Sequence, residues 1–411
     1  MPTFWHNCVN SDRHAQSLDP PAAAAILEQF RYGLPPTDHL AHFTAASASY
    51  RCTLRQRLYV PPAVGRSGLV EAGGGGGKSH LLRFLRDVAL DAGYAVSLID
   101  LPQQEGARLD QIDTIFGVIC QQVHTPISVE TGIGGLFGAF ARPPTGGSHM
   151  ARLRQAITTR GRWDYATSLG SSALYVALRA WVMGDSAARS LVEAWLSDPA
   201  AFQTRRTFLY DELVYRLRDR FSDPRPPRKV TSEAIELMDA SGSDSVWDAL
   251  AGLDVVARAS GLRGLVVLLD GLDRVDGVRL RTDQRLRAQQ HILRLFEDRL
   301  PGIRYATAAP EFRERWHREA IQSGSRKVMT LLAQIPSITP PELTEPELRE
   351  LAARIRTAHG MAYDWHAEHG LADGDLDTLV ARLCEQAGTD DMRHLVQGVV
   401  STLDSRLERS I

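Results

Sequence analysis

The chain's 411 residues give room for roughly two to three domains of ordinary size, ample for a proper core. With 44% hydrophobic and 23% charged residues it has a globular balance, and it contains no run of about 18 apolar residues to cross a membrane. A formal net charge of −2 excludes a global pull toward nucleic acid.

The N-terminal stretch lacks the basic segment and apolar core of a secretory signal, which leads to the expectation of a cytoplasmic protein. Cys8, Cys52, Cys120 and Cys384 are scattered, with no close pair at zinc spacing, and are expected as free thiols. Lysine occurs only at 78, 229 and 327, the other basic residues being arginine, so Lys78 stands out.

In chain order, residues 1–20 read as a poorly ordered arm. A helix is predicted over 22–30, stopped by Gly33 and the Pro35-Pro36 pair, and helical spacing returns over 39–58 before Pro61-Pro62. A short apolar strand over 67–71 then leads into Gly73, Gly74, Gly75, Gly76 and Gly77, followed by Lys78, Ser79 and His80 at the start of a helix.

Strand, glycine loop, Lys-Ser, helix is the P-loop arrangement. Such glycines let backbone N–H groups turn inward around phosphate oxygens. Lys78 would reach the outer phosphates and Ser79 would ligate Mg²⁺, with the helix N-terminus adding its positive dipole end. The run from Gly73 to His80 is therefore the candidate nucleotide-binding segment. It departs from the pattern once, with Ala72 where the first glycine of the motif stands.

A second strand is predicted over 94–100, ended by Pro102. A helix follows over 110–123, with Ile112, Ile115, Phe116 and Ile119 on one face. Residues 125–148, rich in Gly, Pro and small residues, read as a mobile loop. Helical periods then dominate to about 221 and resume over 234–257. We read 125–245 as a helical insertion in which Trp163, Trp181, Trp195 and Trp247 pack the interior.

The run from Gly264 to Asp270 is continuously apolar until its terminal carboxylate. It reads as a strand buried on both faces of a parallel sheet, and its tip lies where ligands bind in open α/β sheets. Asp270 is thus the candidate acid for the Mg²⁺–water shell, opposite Ser79.

A helix over 289–299 and a strand over 303–309 come next. Thr307 near that strand's end is placed either to sense the γ-phosphate or attacking water or simply to cap the strand. A short strand over 337–339 precedes Pro340-Pro341. Thr344 and Glu347 form a capping box opening a helix whose inner face carries Leu348, Leu351 and Ile355, with Gly360 as its C-cap. A last helix from about 391 places Met392, Leu395, Val396, Val399 and Leu403 on one stripe. The organisation is an N-terminal arm and helix (1–50), an α/β core with parallel sheet (51–340) and an α-helical lid (341–411).

On these motifs and their order the chain resembles the BREX phage-resistance ATP-binding proteins (BrxD-like), and is similar to the origin-recognition branch of AAA+ ATPases. The resemblance spans roughly 22–405. It implies ATP with Mg²⁺ as cofactors, assembly with itself or with other defence proteins, and association with DNA. The chain departs from the family at two places. Where members carry Asp-Glu, it has Asp270-Gly271-Leu272-Asp273, so either Asp273 supplies the water-polarising carboxylate or hydrolysis is slow and ATP acts as a switch. Where members carry Pro-Arg, it has Asp391-Met392-Arg393, leaving Arg393 as the sensor-2 candidate or an ordinary surface arginine. Arg326 is the arginine-finger candidate, with Arg313, Arg315 and Arg318 as rivals.

Two further patterns are weaker. His366 and His369, near His359, are three apart but lack a Cys or carboxylate at telling spacing for a metal. Arginine clusters over 152–162, 216–228 and 279–299 are interspersed with acids, as on solvated faces, although phosphate contacts with DNA are the alternative. A nucleotide-gated STAND-type signalling protein or transposition-regulator scaffold with little turnover is the competing functional expectation.

Overall fold

In the computed structural model the described residues are 18–45, 48–58, 66–104, 106–142, 148–159, 162–163, 169–197, 203–221, 224–236, 244–273, 281–297, 300–322, 326–388 and 391–410. The arm expected over 1–20 lies almost wholly outside them. Six strands form one sheet: β1 (Arg66–Glu71), β2 (Ala95–Asp100), β3 (Val123–His124), β4 (Leu265–Asp270), β5 (Ile303–Ala308) and β6 (Ser337–Ile338), in the order β3-β2-β4-β5-β1-β6. Every pairing is parallel except the antiparallel edge contact of β2 with β3.

Alternation within the apolar runs sends side chains to both faces, and both faces are covered by helices. Val266 and Leu268 of β4 join Val70, Val96 and Tyr305 under the helices Ala48–Leu58 and Lys78–Asp91. Leu265, Val267 and Leu269 face the other way, against Ile112–Gln122, Asp244–Ala259 and Thr282–Leu295.

The insertion is helical, as expected, but its first stretch is not a loop. Gly132–Ala141 is a helix, with Ile133, Leu136, Phe137 and Phe140 buried. Close packing accounts for Gly134: a Cβ there would meet Glu193 Oε1 at 2.3 Å and the Trp181 ring at 3.0 Å. The helix placed over 289–299 starts earlier, at Thr282. Trp163, Trp181, Trp195 and Trp247 are buried, as the packing role requires.

The lid contains Glu345–Tyr363, Asp373–Ala387 and Met392–Ser410. Its capping box forms, with the Thr344 amide donating to Glu347 Oε2 at 2.8 Å. Gly360 does not end the helix, which runs to Tyr363 and turns at Asp364 (φ +50°). Gly360 instead lets the Ala367 Cβ approach to 3.3 Å from where its own Cβ would stand.

The helix Pro20–Arg31 packs inside the lid, where Ala23, Ile26, Leu27 and Phe30 share one core with Leu348, Ile355, Val399 and Leu403. Arg31 pins this contact with a two-pronged ion pair to Asp404, its Nε donating at 2.9 Å and a terminal nitrogen at 2.7 Å. The first helix, assigned with the arm from the sequence, thus packs as part of the lid.

Cys52 is disulfide-bonded, against the expectation of free thiols, whereas Cys120 and Cys384 are free. Among the described residues no helix is long and apolar enough to cross a membrane, and no three His, Cys, Asp or Glu side chains could hold a metal by themselves. His359 is committed elsewhere: Nδ1 accepts from the Trp365 indole at 2.9 Å and Nε2 meets Asp404 at 2.9 Å.

Candidate functional site

The parallel strands end along one edge. The register sets Glu71 beside Ala308, Val70 beside Thr307 and Asp100 beside Asp270. Above this edge lies a cavity of about 460 Å³. Its floor contains residues 74–77 of the glycine loop, Lys78, Ser79, His80, Asp270, Asp273 and Thr307, and Arg393 reaches in from the lid.

Gly77 holds φ +77°, a left-handed conformation that a side chain disfavours, and hands the chain directly into the helix Lys78–Asp91. Ala72 is not among the positive-φ residues, so the missing motif glycine costs nothing in backbone strain. A Cβ at Gly73 or Gly74 would meet nothing within 4 Å, which leaves the start of the loop open. The Lys78 amine donates to the Ala72 and Gly73 carbonyls at 2.6 and 2.7 Å, folding over its own loop. Burial pulls its pKa below the usual value, opposed by the negative charges of Asp273 and then Asp270. An open loop beside an amine with only carbonyls for partners fits the phosphates of a nucleotide, and Ser79 with Asp270 suits the oxygen preference of Mg²⁺.

The strand-tip residues form a connected set. Thr307 is fully buried; its hydroxyl donates to Asp270 Oδ1 at 2.6 Å and accepts from the Gly271 amide at 2.7 Å. In this arrangement its one proton goes to Asp270, so Thr307 holds that carboxylate in place. Gly271 holds φ +88°, and a Cβ there would come within 3.0 Å of the Pro102 ring. The turn after β2 thus crowds position 271, and the backbone conformation there wants glycine. Asp273 lines the cavity, and among neighbouring charges it acts most strongly on Lys78.

Arg393 comes to the site from the far end of the sequence. Its stem lies across Gly33, where a Cβ would meet Cγ at 2.4 Å, and its charge acts on Lys78. Arg326 opens the helix Arg326–Gln334, and its side chain, like Ser325, lies outside the described residues. Arg313, one of the rival finger candidates, grips Glu71 with two bonds of 3.1 Å and donates to the Ile335 carbonyl at 3.1 Å. His80 lines the cavity with its ring turned to Thr44, Nε2 to Oγ1 at 3.0 Å. Thr44 gives its own proton to the Leu40 carbonyl at 2.9 Å, so Nε2–H is the donor. Burial, aided by Arg83, pushes the His80 pKa down to about 4 and keeps the ring neutral.

Sequence reasoning missed two groups. Asp100 and Gln103 line the cavity at the tip of β2; a strand closing on a carboxylate, as β4 does, was the available signal. The apolar wall was also missed. Phe30, Leu34, Phe43 and Leu54 come from the N-terminal elements, and Leu343, Met392 and Val396 from the lid; no local motif announces them.

Compared with known proteins, the chain matches no family model, no curated protein and no solved structure.

Proposed function

We propose that this chain binds a nucleoside triphosphate, ATP, as its Mg²⁺ complex and hydrolyses it in the manner of an AAA+-like P-loop ATPase. The observation that carries this reading is the convergence, in one cavity, of the glycine loop, Lys78, Ser79, Asp270, Asp273 and Arg393. The apolar wall offers a dry slot for a base, and the glycine loop offers N–H groups to the phosphates.

Mg²⁺ would neutralise phosphate charge between Ser79 and the Asp270 shell. Lys78 would leave its own carbonyls for the outer phosphates. Thr307 keeps Asp270 in one orientation, Asp273 would accept a proton from the attacking water, and Arg393 would brace the terminal phosphate. Arg326 remains the proposed finger toward a neighbouring subunit. From the family resemblance we carry over, as proposals, assembly with itself or other defence proteins, association with DNA, and a cytoplasmic role in phage resistance.

Gly271 favours a second reading. A site without the usual glutamate suits a nucleotide-gated STAND-type switch or transposition-regulator scaffold with little turnover. Measuring ATP binding and turnover together, with and without DNA, separates the two. Lys78→Ala is expected to weaken binding about 100-fold. Asp273→Ala is expected to keep binding and lose about 100-fold or more in turnover. Normal hydrolysis by Asp273→Ala would remove that residue from the mechanism, and tight binding without turnover in the wild type would favour the switch.

A further inference from the structure

Asp100 ends β2 as Asp270 ends β4, and the two are register partners on neighbouring parallel strands. Adjacent strands run about 4.8 Å apart, and residues in register point to the same face, so the two carboxylates rise side by side. Both line the cavity, as does Ser79.

The two tips are also interlocked. The Leu101 amide donates to the Asp270 carbonyl at 3.1 Å, and the Gln103 and Gln104 amides donate to the Asp100 carbonyl at 3.1 and 2.9 Å. Pro102 fills the space over Gly271. The turn that excludes a side chain at 271 is therefore the turn that holds Asp100 in place. Arg83, four residues after Ser79 on the same helix, feels the negative charge of Asp270 and of Asp100.

We propose that Asp100 is a second carboxylate for the nucleotide's Mg²⁺, sharing the ion's water shell with Asp270. The inference rests on the nucleotide-binding reading above. Two carboxylates side by side would offer a divalent cation oxygen ligands from neighbouring strands, beside the phosphates. Mg²⁺ is held by one or two carboxylates together with substrate phosphates, seldom by a protein cage alone. The ion and the nucleotide should then bind as a unit, with weak metal binding in the absence of nucleotide.

The test uses the full chain and Mn²⁺ as a paramagnetic stand-in, titrated with and without ADP or a non-hydrolysable ATP analogue. Nucleotide affinity is followed in parallel across Mg²⁺ concentrations. Asp100→Asn should weaken nucleotide-dependent Mn²⁺ binding about 10-fold or more. It should raise the Mg²⁺ needed for half-maximal nucleotide binding by a similar factor, and saturating Mg²⁺ should restore the affinity. Asp100→Glu should recover part of the loss. Wild-type metal dependence in Asp100→Asn would overturn the proposal while leaving nucleotide binding intact. So would a loss that Mg²⁺ cannot restore, which would mark Asp100 as a residue of the turn only. A wild-type chain that binds no nucleotide would overturn this proposal and the functional reading together.

Discussion

The two walls of the cavity are built on different plans. The floor comes from strand tips and one continuous loop, is polar, and is held by short hydrogen bonds such as Thr307 to Asp270 at 2.6 Å. The roof comes from the two ends of the chain and is apolar. Its groups are held by a separate core, in which Phe30 packs with Leu351 and Val399. A sheet edge can aim charge at a phosphate because its backbone is fixed by neighbours on both sides. The helical lid touches that edge where Asp391 stands over Gly75 of the glycine loop.

The largest effect expected from breaking the floor is at Gly271. Gly271→Glu forces a side chain into a left-handed backbone and against Pro102, and should cost about 3 kcal/mol in urea unfolding. A stable variant with raised turnover would show that the β2 turn yields easily.

Thr307→Val keeps the shape but leaves Asp270 and the Gly271 amide each short of a partner. The loss expected is about 2 kcal/mol. Turnover should fall about 10-fold while nucleotide binding changes little, since Asp270 would lose only its orientation. Unchanged turnover would mean that Asp270 needs no orienting partner.

The smallest effect is expected in the roof. Arg31→Ala removes the grip of the first helix on Asp404; both side chains are 30% exposed, which limits the cost to about 1 kcal/mol. Burial would raise the Asp404 pKa, but its hydrogen bonds to Arg31 and His359 outweigh that and hold it below the usual carboxylate value. The contribution is therefore complete above the unfolded value of about 3.9 and is lost as pH falls through the lower folded value. Urea melts of wild type and variant should differ at pH 7 and converge toward pH 2. A gap that persists in acid would assign the effect to packing of the arginine stem.

The floor was largely legible because its signals are local. A glycine run before Lys78-Ser79 and an apolar run ending in Asp270 each carry their chemistry within about seven residues. Thr307 was found by the same logic but with its role open, because which partner takes a hydroxyl's proton depends on the neighbouring strand. The helix Gly132–Ala141 was misread because glycine count was weighed above the spacing of Ile133, Leu136, Phe137 and Phe140. Gly134 answers to Glu193 and Trp181, residues close in space and distant along the chain.

Backbone periodicity and motif chemistry are properties of short windows, so the sequence by itself determined the α/β alternation, the glycine loop and the acid of β4. Tertiary structure alone decided that residues 20–31 join the lid, that Arg393 lines one cavity with Lys78, and that Pro102 crowds position 271. Those outcomes depend on which surfaces meet after the chain has crossed the sheet several times. No period or spacing within one segment encodes them.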